Sequence, residues 1–299
     1  MNAKIKLISS MLIFGTIGAF VKNINLAPLD IAFLRAVLGC TFLVCTGAAI
    51  RQKISPDLIK KNILLLTLSG AAIGFNWIFL FQAYKYTTVS IATLSYYFAP
   101  MFVLMLSPLI LKERLTPVKI SCIIAAMAGL FFILNTDSSL AAASSQPALG
   151  ILYGLSAAAL YASVILMNKF IRNLSGFETT LIQLFVAALV LLPCIVYQGG
   201  LSLAVLSGRA VIFVLVVGIL HTGIAYFIYF SSMQELNGHS IAMLSYLDPV
   251  TAVLVSAVLL GEPFTFQQII GGILILGAAF FSETGDRLLR SRKSDCTSL

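Results

Sequence analysis

Long apolar runs separated by short polar segments make up nearly the whole chain. Each run holds about 20 residues, the length at which an α-helix rising about 1.5 Å per residue crosses a hydrocarbon core of about 30 Å. A transmembrane β-barrel is excluded, because its strands alternate apolar and polar residues and are about half as long. The pattern predicts ten membrane-spanning helices, at residues 5–22, 29–50, 62–84, 89–111, 117–135, 148–171, 177–198, 209–234, 239–261 and 265–283.

The composition is that of a chain that folds in lipid. Hydrophobic residues make up 60% of it and charged residues 10%, whereas a water-soluble domain carries roughly 25% charged residues. The first apolar run, which follows Lys4 and Lys6, could also be read as a secretory signal peptide. No small-residue cleavage site follows it and nine further runs do, so we expect it to be the first span. The chain is predicted to be an all-α integral membrane protein.

Positive charge is distributed unevenly between the two sets of loops. If the N-terminus is cytoplasmic, the inner segments carry 15 Lys and Arg residues, and the outer segments carry only Lys22, Lys85 and Arg209. This excess follows the positive-inside rule and predicts a multi-pass protein of the plasma (inner) membrane with both termini cytoplasmic. The net charge of +8 fits orientation against an anionic leaflet, so no nucleic-acid partner is implied.

Residue patterns that would indicate catalysis or metal binding are missing from the sequence. The five cysteines and two histidines form no CxxC pair and no HExxH motif, and neither a GxSxG elbow nor a Walker loop is present. The cysteines are explained as small buried apolar residues. We expect no metal, no cofactor and no enzymatic activity.

One six-residue phrase occurs twice in the chain, identical at five of its six positions, as Ile91–Tyr96 and as Ile241–Tyr246. Each copy is followed by a proline and, thirteen positions later, by a glutamate, namely Pro100 with Glu113 and Pro249 with Glu262. The repeat extends into the third and eighth helices, where it aligns Trp77, which follows Asn76, with Tyr226. Two copies of one membrane unit are typical of a transporter.

The repeat divides the chain into domains. We predict a first repeat at residues 1–135, a polar linker at 136–147, a second repeat at 148–284 and a cytoplasmic tail at 285–299. Because each repeat has five spans, the second must enter the membrane from the opposite side. The two repeats are therefore predicted to be inverted.

These residues also carry a family resemblance. The stretch Gln82–Ala92, then Pro100 and Lys112–Thr116, resembles the EamA-type unit of the drug/metabolite transporter superfamily, as does the second copy around Asp248–Val250 and Leu260–Glu262. The resemblance implies ten helices in two inverted five-helix repeats, around a central cavity lined by helices 1, 3, 4, 6, 8 and 9. It implies alternating access, and many bacterial members export amino acids or other small metabolites. The chain departs from the family pattern at Lys112, where Gly is frequent, and at Asp248, where Glu is frequent.

The two prolines predict breaks in the fourth and ninth helices. A proline lacks the N–H that a helix needs and clashes with the carbonyl four residues earlier, so Pro100 and Pro249 should free the carbonyls of Tyr96 and Ser245. Irregular backbone at mid-membrane survives only against protein or a water-filled cavity. A packing kink remains the alternative, but the symmetric pair favours a substrate site.

Aromatic residues well inside the spans supply further candidates. A tyrosine hydroxyl or indole N–H facing lipid would lack a partner, so we expect these side chains to face a cavity or to bond between helices. The candidate substrate-binding residues are Asn76, Trp77, Tyr96, Tyr161, Tyr226 and Tyr246.

Three ionisable residues inside the spans complete the candidate site. Asp248 lies nearest the midplane, where an ionised carboxylate is expensive, so it could take part in proton coupling, contact substrate or accept a structural hydrogen bond. Arg35 could bind a substrate carboxylate, snorkel to the outer face or pair structurally. His221 is either a proton-sensitive cavity group or a core residue.

Together these features predict a secondary transporter of small metabolites, most simply an exporter of amino acids or related amphipathic compounds. A multidrug or other metabolite carrier, including one for uptake, is the alternative, and a channel or sensor a more distant one. The expected partners are a small-molecule substrate, the lipid bilayer and, as a coupling ion, protons. Oligomeric state is left open by the sequence.

Overall fold

The structure is a computed structural model that describes residues 2–112, 115–134, 146–202, 207–233, 235–236, 244–262 and 265–296, without the side chains of 134, 233 and 283–296. Its ten apolar segments are α1 (Ala3–Lys22), α2 (Pro28–Ala49), α3 (Pro56–Tyr86), α4 (Val89–Ile110), α5 (Pro117–Leu134), α6 (Pro147–Asn168), α7 (Gly176–Tyr197), α8 (Gly208–Leu215, Val216–Ile224 and Ala225–Met233), α9 (Leu247–Leu259) and α10 (Phe266–Cys296).

Seven of these segments are long and apolar enough to cross a membrane, and α5, α9 and the first part of α10 are shorter apolar helices. The predicted spans agree with the helices to within a few residues at most ends. α3 begins at Pro56, six residues early, and α10 continues to Cys296. The predicted start of the ninth span, at residue 239, lies outside the described residues. Most of the linker, the loop residues Glu113 and Arg114, and Ile241–Met243 of the second phrase lie outside the described residues.

The predicted break in α4 is present. The helix stops at Tyr96 and restarts at Ala99, so that Tyr97 and Phe98 form a turn that ends two residues before Pro100. In α9, Tyr246 forms a turn between the helical residues Leu244–Ser245 and Leu247–Leu259, with Pro249 in the first turn of the latter. Both breaks therefore lie at the end of the repeated phrase, a few residues before the proline that follows it, as expected from the loss of a helix donor at each proline.

Each half packs its helices against the other half, and the contacts made by one half are repeated by the other. The first helix of each half packs against the third and fourth helices of the other, so α1 contacts α8 and α9, and α6 contacts α3 and α4. In the same way α2 contacts α8 and α7 contacts α3, while α2 pairs with α7 and α5 with α10. Each half thus completes the core of the other.

Glycines allow these helices to approach closely, as small residues do at helix contacts in membranes. A Cβ on Gly15 of α1 would lie 2.5 Å from Thr251 and 2.6 Å from the carbonyl oxygen of Asp248 on α9. A Cβ on Gly154 of α6 would lie 2.9 Å from Ser95 on α4. The two contacts place α1 and α6 directly beside the two broken helices.

One region departs from the symmetry of the repeats. Residues Val216–Ile224 of α8 form a π-helix, whereas the corresponding part of α3 is regular α-helix. Side chains bond to the carbonyls five residues earlier: Thr222 Oγ1 donates to Val217 (2.9 Å), and His221 Nδ1 lies 3.1 Å from Val216 O. Wide turns of this kind are frequent at functional sites, and this one turns Thr222 toward α2.

Candidate functional site

A central cavity of about 340 Å³ lies between the two halves. The resemblance implied that helices 1, 3, 4, 6, 8 and 9 line it, and α1, α3, α4, α6, α8 and α9 all do. α2 also contributes, through Arg35, because a glycine, Gly39, brings α2 against Thr222 in the π-helix of α8. The cavity wall includes Asn76, Trp77, Tyr96, Tyr161, Tyr226, Tyr246, Asp248 and Arg35, eight of the nine candidate residues.

Arg35 is held inside the bundle by α3 and α8. Its side chain is buried, and its guanidinium carbon lies 4.2 Å from the centroid of the Trp77 ring, a cation–π geometry. Its Nε donates to Thr222 Oγ1 at 2.7 Å, its one hydrogen bond within the described part of the chain. Arg35 therefore does not snorkel to the outer face. It brings a positive charge to the cavity wall.

Asp248 brings a carboxyl group to the same wall. The Tyr97 hydroxyl donates to Asp248 Oδ2, which links the break in α4 to the start of α9. Asp248 forms no ion pair with any described Lys or Arg. The cavity thus carries an acidic and a basic group that are not paired with each other. Tyr97 was missed in the sequence, although its place directly after the repeated phrase marks it.

The remaining wall is largely aromatic. The rings of Tyr96 and Tyr161 pack with centroids 5.5 Å apart, and Phe14 meets Tyr226 edge-on at 5.2 Å. Tyrosine offers a flat apolar face and one polar tip, so the wall can hold an apolar group while its hydroxyls remain able to form hydrogen bonds.

Two further candidate residues, Asn76 and His221, are held by contacts within the protein. Asn76 lines the cavity, but its amide donates to the carbonyl of Ala157 on α6 at 2.6 Å. His221 lies outside the cavity lining: it is fully buried, 2.8 Å from Thr16 Oγ1, and its ring packs against Phe20. Of the two interpretations of His221, its surroundings favour the core residue.

The two ends of the cavity differ in exposure. Trp77 and Tyr84 are 5% and 4% exposed, whereas Tyr161 is 40% exposed. Tyr84 lies at the C-terminal end of α3, close to Lys22, and we call this side of the bundle the Lys22 end. Tyr161 lies about 16 Å along α6 from Gly150, which contacts Thr87 at the Lys22 end. The cavity is therefore closed at the Lys22 end and more open toward Tyr161.

Comparisons with known proteins agree with this architecture. A protein of Bacillus subtilis (strain 168), named uncharacterized transporter YxxF, is 33% identical over 274 residues, which cover 92% of this chain and 87% of that protein. A protein of Salmonella typhimurium (strain LT2), named probable amino-acid metabolite efflux pump, is 26% identical over 266 residues, covering 85% of this chain and 87% of that one. A solved crystal structure matches with a TM-score of 0.63 at 18% identity, over 95% of this chain and 98% of that chain, which supports the fold.

The model of the EamA-like transporter family matches residues 2–135 and 148–284 of the chain. The match includes both copies of the repeated phrase and every helix that lines the cavity. Family members and the relatives above are named as transporters, not as enzymes. The chain is a multi-pass membrane protein that belongs to the EamA-like transporter family.

Proposed function

We propose that the protein is a secondary transporter that exports amino acids or closely related amphipathic metabolites by alternating access. The observation that carries this proposal is the central cavity, whose aromatic wall holds one guanidinium and one carboxyl group that are not paired with each other. Its volume of about 340 Å³ falls in the usual range for small-molecule sites, about 300–1,000 Å³.

The charges match the two ends of an α-amino acid. A guanidinium binds a carboxylate through paired hydrogen bonds, and Arg35 uses only Nε for the protein within the described residues. Asp248, with one oxygen accepting from Tyr97, offers an acceptor for an ammonium group. The tyrosines and Trp77 then surround the side chain. This arrangement favours a substrate with an apolar or aromatic side chain.

The proposal of export rests on the relative named as an amino-acid metabolite efflux pump. With both termini cytoplasmic, the Lys22 end faces outward and the cavity opens toward the cytoplasm, where an exporter can load its substrate. In this orientation the structure corresponds to an inward-facing state in the plasma membrane.

Proton coupling is proposed for Asp248. A carboxyl group inside the membrane is costly when charged and unpaired, so substrate ammonium and proton can compete for it. Release of the proton on one side and of substrate on the other would couple the two fluxes. Tyr97 holds the carboxyl in place at the junction of α4 and α9.

Ligand-dependent thermal stabilisation of the purified protein tests the proposal. A ligand at 100 times its dissociation constant stabilises by about 2.7 kcal/mol, so amino acids should raise the melting temperature. Phenylalanine should exceed both phenethylamine, which lacks the carboxylate, and 3-phenylpropionate, which lacks the amine. Counterflow in proteoliposomes should then show exchange, which a channel does not. Stabilisation by hydrophobic cations alone would replace this proposal with multidrug transport.

A further inference from the structure

Four hydrogen-bond donors from three parts of the chain surround one carboxylate, that of Glu262, at the Lys22 end. Lys22, the last residue of α1, places Nζ 2.6 Å from Glu262 Oε1. The same carboxylate accepts from the backbone N–H groups of Val89 (3.0 Å) and Ser90 (3.4 Å), the first two residues of α4. Ser256 Oγ of α9 donates to its second oxygen.

This arrangement follows from helix chemistry. The first N–H groups of a helix have no partner within it, and the helix dipole makes its N-terminus electropositive, so a carboxylate is favoured there. Here the carboxylate belongs to the second repeat and the helix to the first. Gly261 adopts φ +63°, which turns the chain so that the amide of Glu262 bonds back to Ser256 O at 3.3 Å. Glu262 is thus held where it can cap α4.

The capped junction lies directly beyond the closed end of the central cavity. A second cavity of about 280 Å³ is present there, lined in part by Lys22, Asn25 and Lys85. Tyr84 lines both cavities and is stacked on Phe81, with ring centroids 6.2 Å apart. Tyr84 therefore separates the cavity of the proposed site from the pocket at the Lys22 end.

We propose that the contact of Glu262 with Lys22 and with the α4 N-terminus is the latch that holds the Lys22 end of the cavity closed, and that Tyr84 is the partition behind it. The latch joins α1, α4 and the end of α9, three of the helices that line the cavity. Opening this end requires α4 to leave Glu262. Because the groups lie at a helix end where water can solvate them once apart, the contact can break and re-form in each cycle.

Thiol accessibility from the Lys22 side tests the latch without reference to any substrate. Thr93 lines the central cavity and is buried, so Thr93→Cys in the full-length chain lacking its five native cysteines serves as the reporter. An impermeant methanethiosulfonate reagent is added from the Lys22 side of the membrane. We expect Glu262→Gln to raise the labelling rate at least tenfold. Glu235→Gln is the matched control, since it removes the Lys6–Glu235 ion pair (2.7 Å) elsewhere in the protein.

A labelling rate within twofold of the parent in folded Glu262→Gln overturns the proposal, as does an equal rise in Glu235→Gln. Size-exclusion chromatography verifies folding. If Glu262→Gln does not fold, Lys22→Met decides on the same criteria, because it removes the ion pair and leaves the cap. The assay reports access, so it stands or falls independently of amino-acid transport.

Discussion

Lys112 and Gly261 occupy the same position in the two repeats and share a left-handed backbone, with φ of 56° and 63°. In both turns the preceding leucine amide bonds to a serine carbonyl, Leu111 to Ser107 (2.8 Å) and Leu260 to Ser256 (3.2 Å). Glycine adopts this conformation without strain, whereas a side chain does so at a cost of about 1–2 kcal/mol. The turn at Lys112 therefore accepts strain in exchange for a positive charge.

We expect Lys112→Gly to stabilise the protein relative to Lys112→Ala. Alanine removes the charge but keeps the strain, and glycine removes both, so the difference isolates the backbone. The gain should be about 0.5–1 kcal/mol after the greater chain entropy of glycine is subtracted, or roughly 1–3 °C in melting temperature. Gly261→Ala should lower the melting temperature. Equal melting temperatures of Lys112→Gly and Lys112→Ala would contradict the presence of backbone strain at Lys112.

Trp77→Ala should weaken substrate binding by about 1–3 kcal/mol, or roughly 5-fold to 150-fold, through loss of a buried aromatic wall and of its contact with Arg35. Binding and melting temperature are measured on the same purified variant, with Trp77→Phe as the control that keeps an aromatic face. If melting drops sharply while the folded fraction binds with unchanged affinity, Trp77 is a core residue and the substrate lies elsewhere.

Arg35→Met should abolish the preference for ligands that carry a carboxylate. The substitution keeps much of the buried hydrophobic length but removes the guanidinium. In Arg35→Met, the thermal stabilisation by phenylalanine should fall to that by phenethylamine. Arg35→Lys should restore part of the difference between the two ligands, because lysine returns the positive charge without the paired donors of arginine. An undiminished preference in Arg35→Met would place carboxylate recognition on another residue.

Asp248→Asn should abolish the pH dependence of transport while the protein remains folded in the membrane. Asparagine retains an oxygen that can accept from Tyr97 but has no proton to exchange. Flux in proteoliposomes is measured across a pH gradient of either sign, with Tyr97→Phe as a control that removes only the hydrogen bond. If the pH dependence persists in Asp248→Asn, the carboxyl is structural.

Cysteine labelling in intact cells tests the orientation. Ser202 and Lys60 are both exposed and, in the proposed topology, lie outside and inside respectively. In the chain lacking native cysteines, Ser202→Cys should react with an impermeant maleimide added outside, and Lys60→Cys should react only after the cells are opened. The reverse labelling pattern would mean that the open end of the cavity faces the outside of the cell.

Much of this architecture follows from the pattern of apolar residues and prolines along the sequence. Apolar length locates spans because lipid allows no unpaired backbone, and Pro100 and Pro249 locate breaks because proline removes a donor. What pattern does not provide is the direction of a side chain. Arg35 points to Trp77 because Gly39 lets α2 approach the π-helix of α8. This arrangement depends on α2, α3 and α8 together, so no single stretch of the sequence predicts it.

The same limit explains the other differences. His221 and Tyr97 are both polar residues within spans, yet one packs against Phe20 and the other reaches Asp248 across the bundle. The repeat would have α8 resemble α3, but residues Val216–Ile224 of α8 form a π-helix instead. Glu262 was visible as a repeated residue, but its role as a cap depends on the approach of α4 from the other half.

The hydrogen bond from Arg35 to Thr222 also bears on how the protein is made. Thr222 lies 187 residues after Arg35, and at about 5–20 residues per second a ribosome needs roughly 10–40 s to reach it. During that time the guanidinium has no acceptor from α8, and a charge on a lone helix in lipid is expensive. We therefore expect α2 to keep this charge close to water or to the insertion machinery until α8 arrives, so that the residue that charges the finished cavity also delays the burial of its own helix in the bilayer.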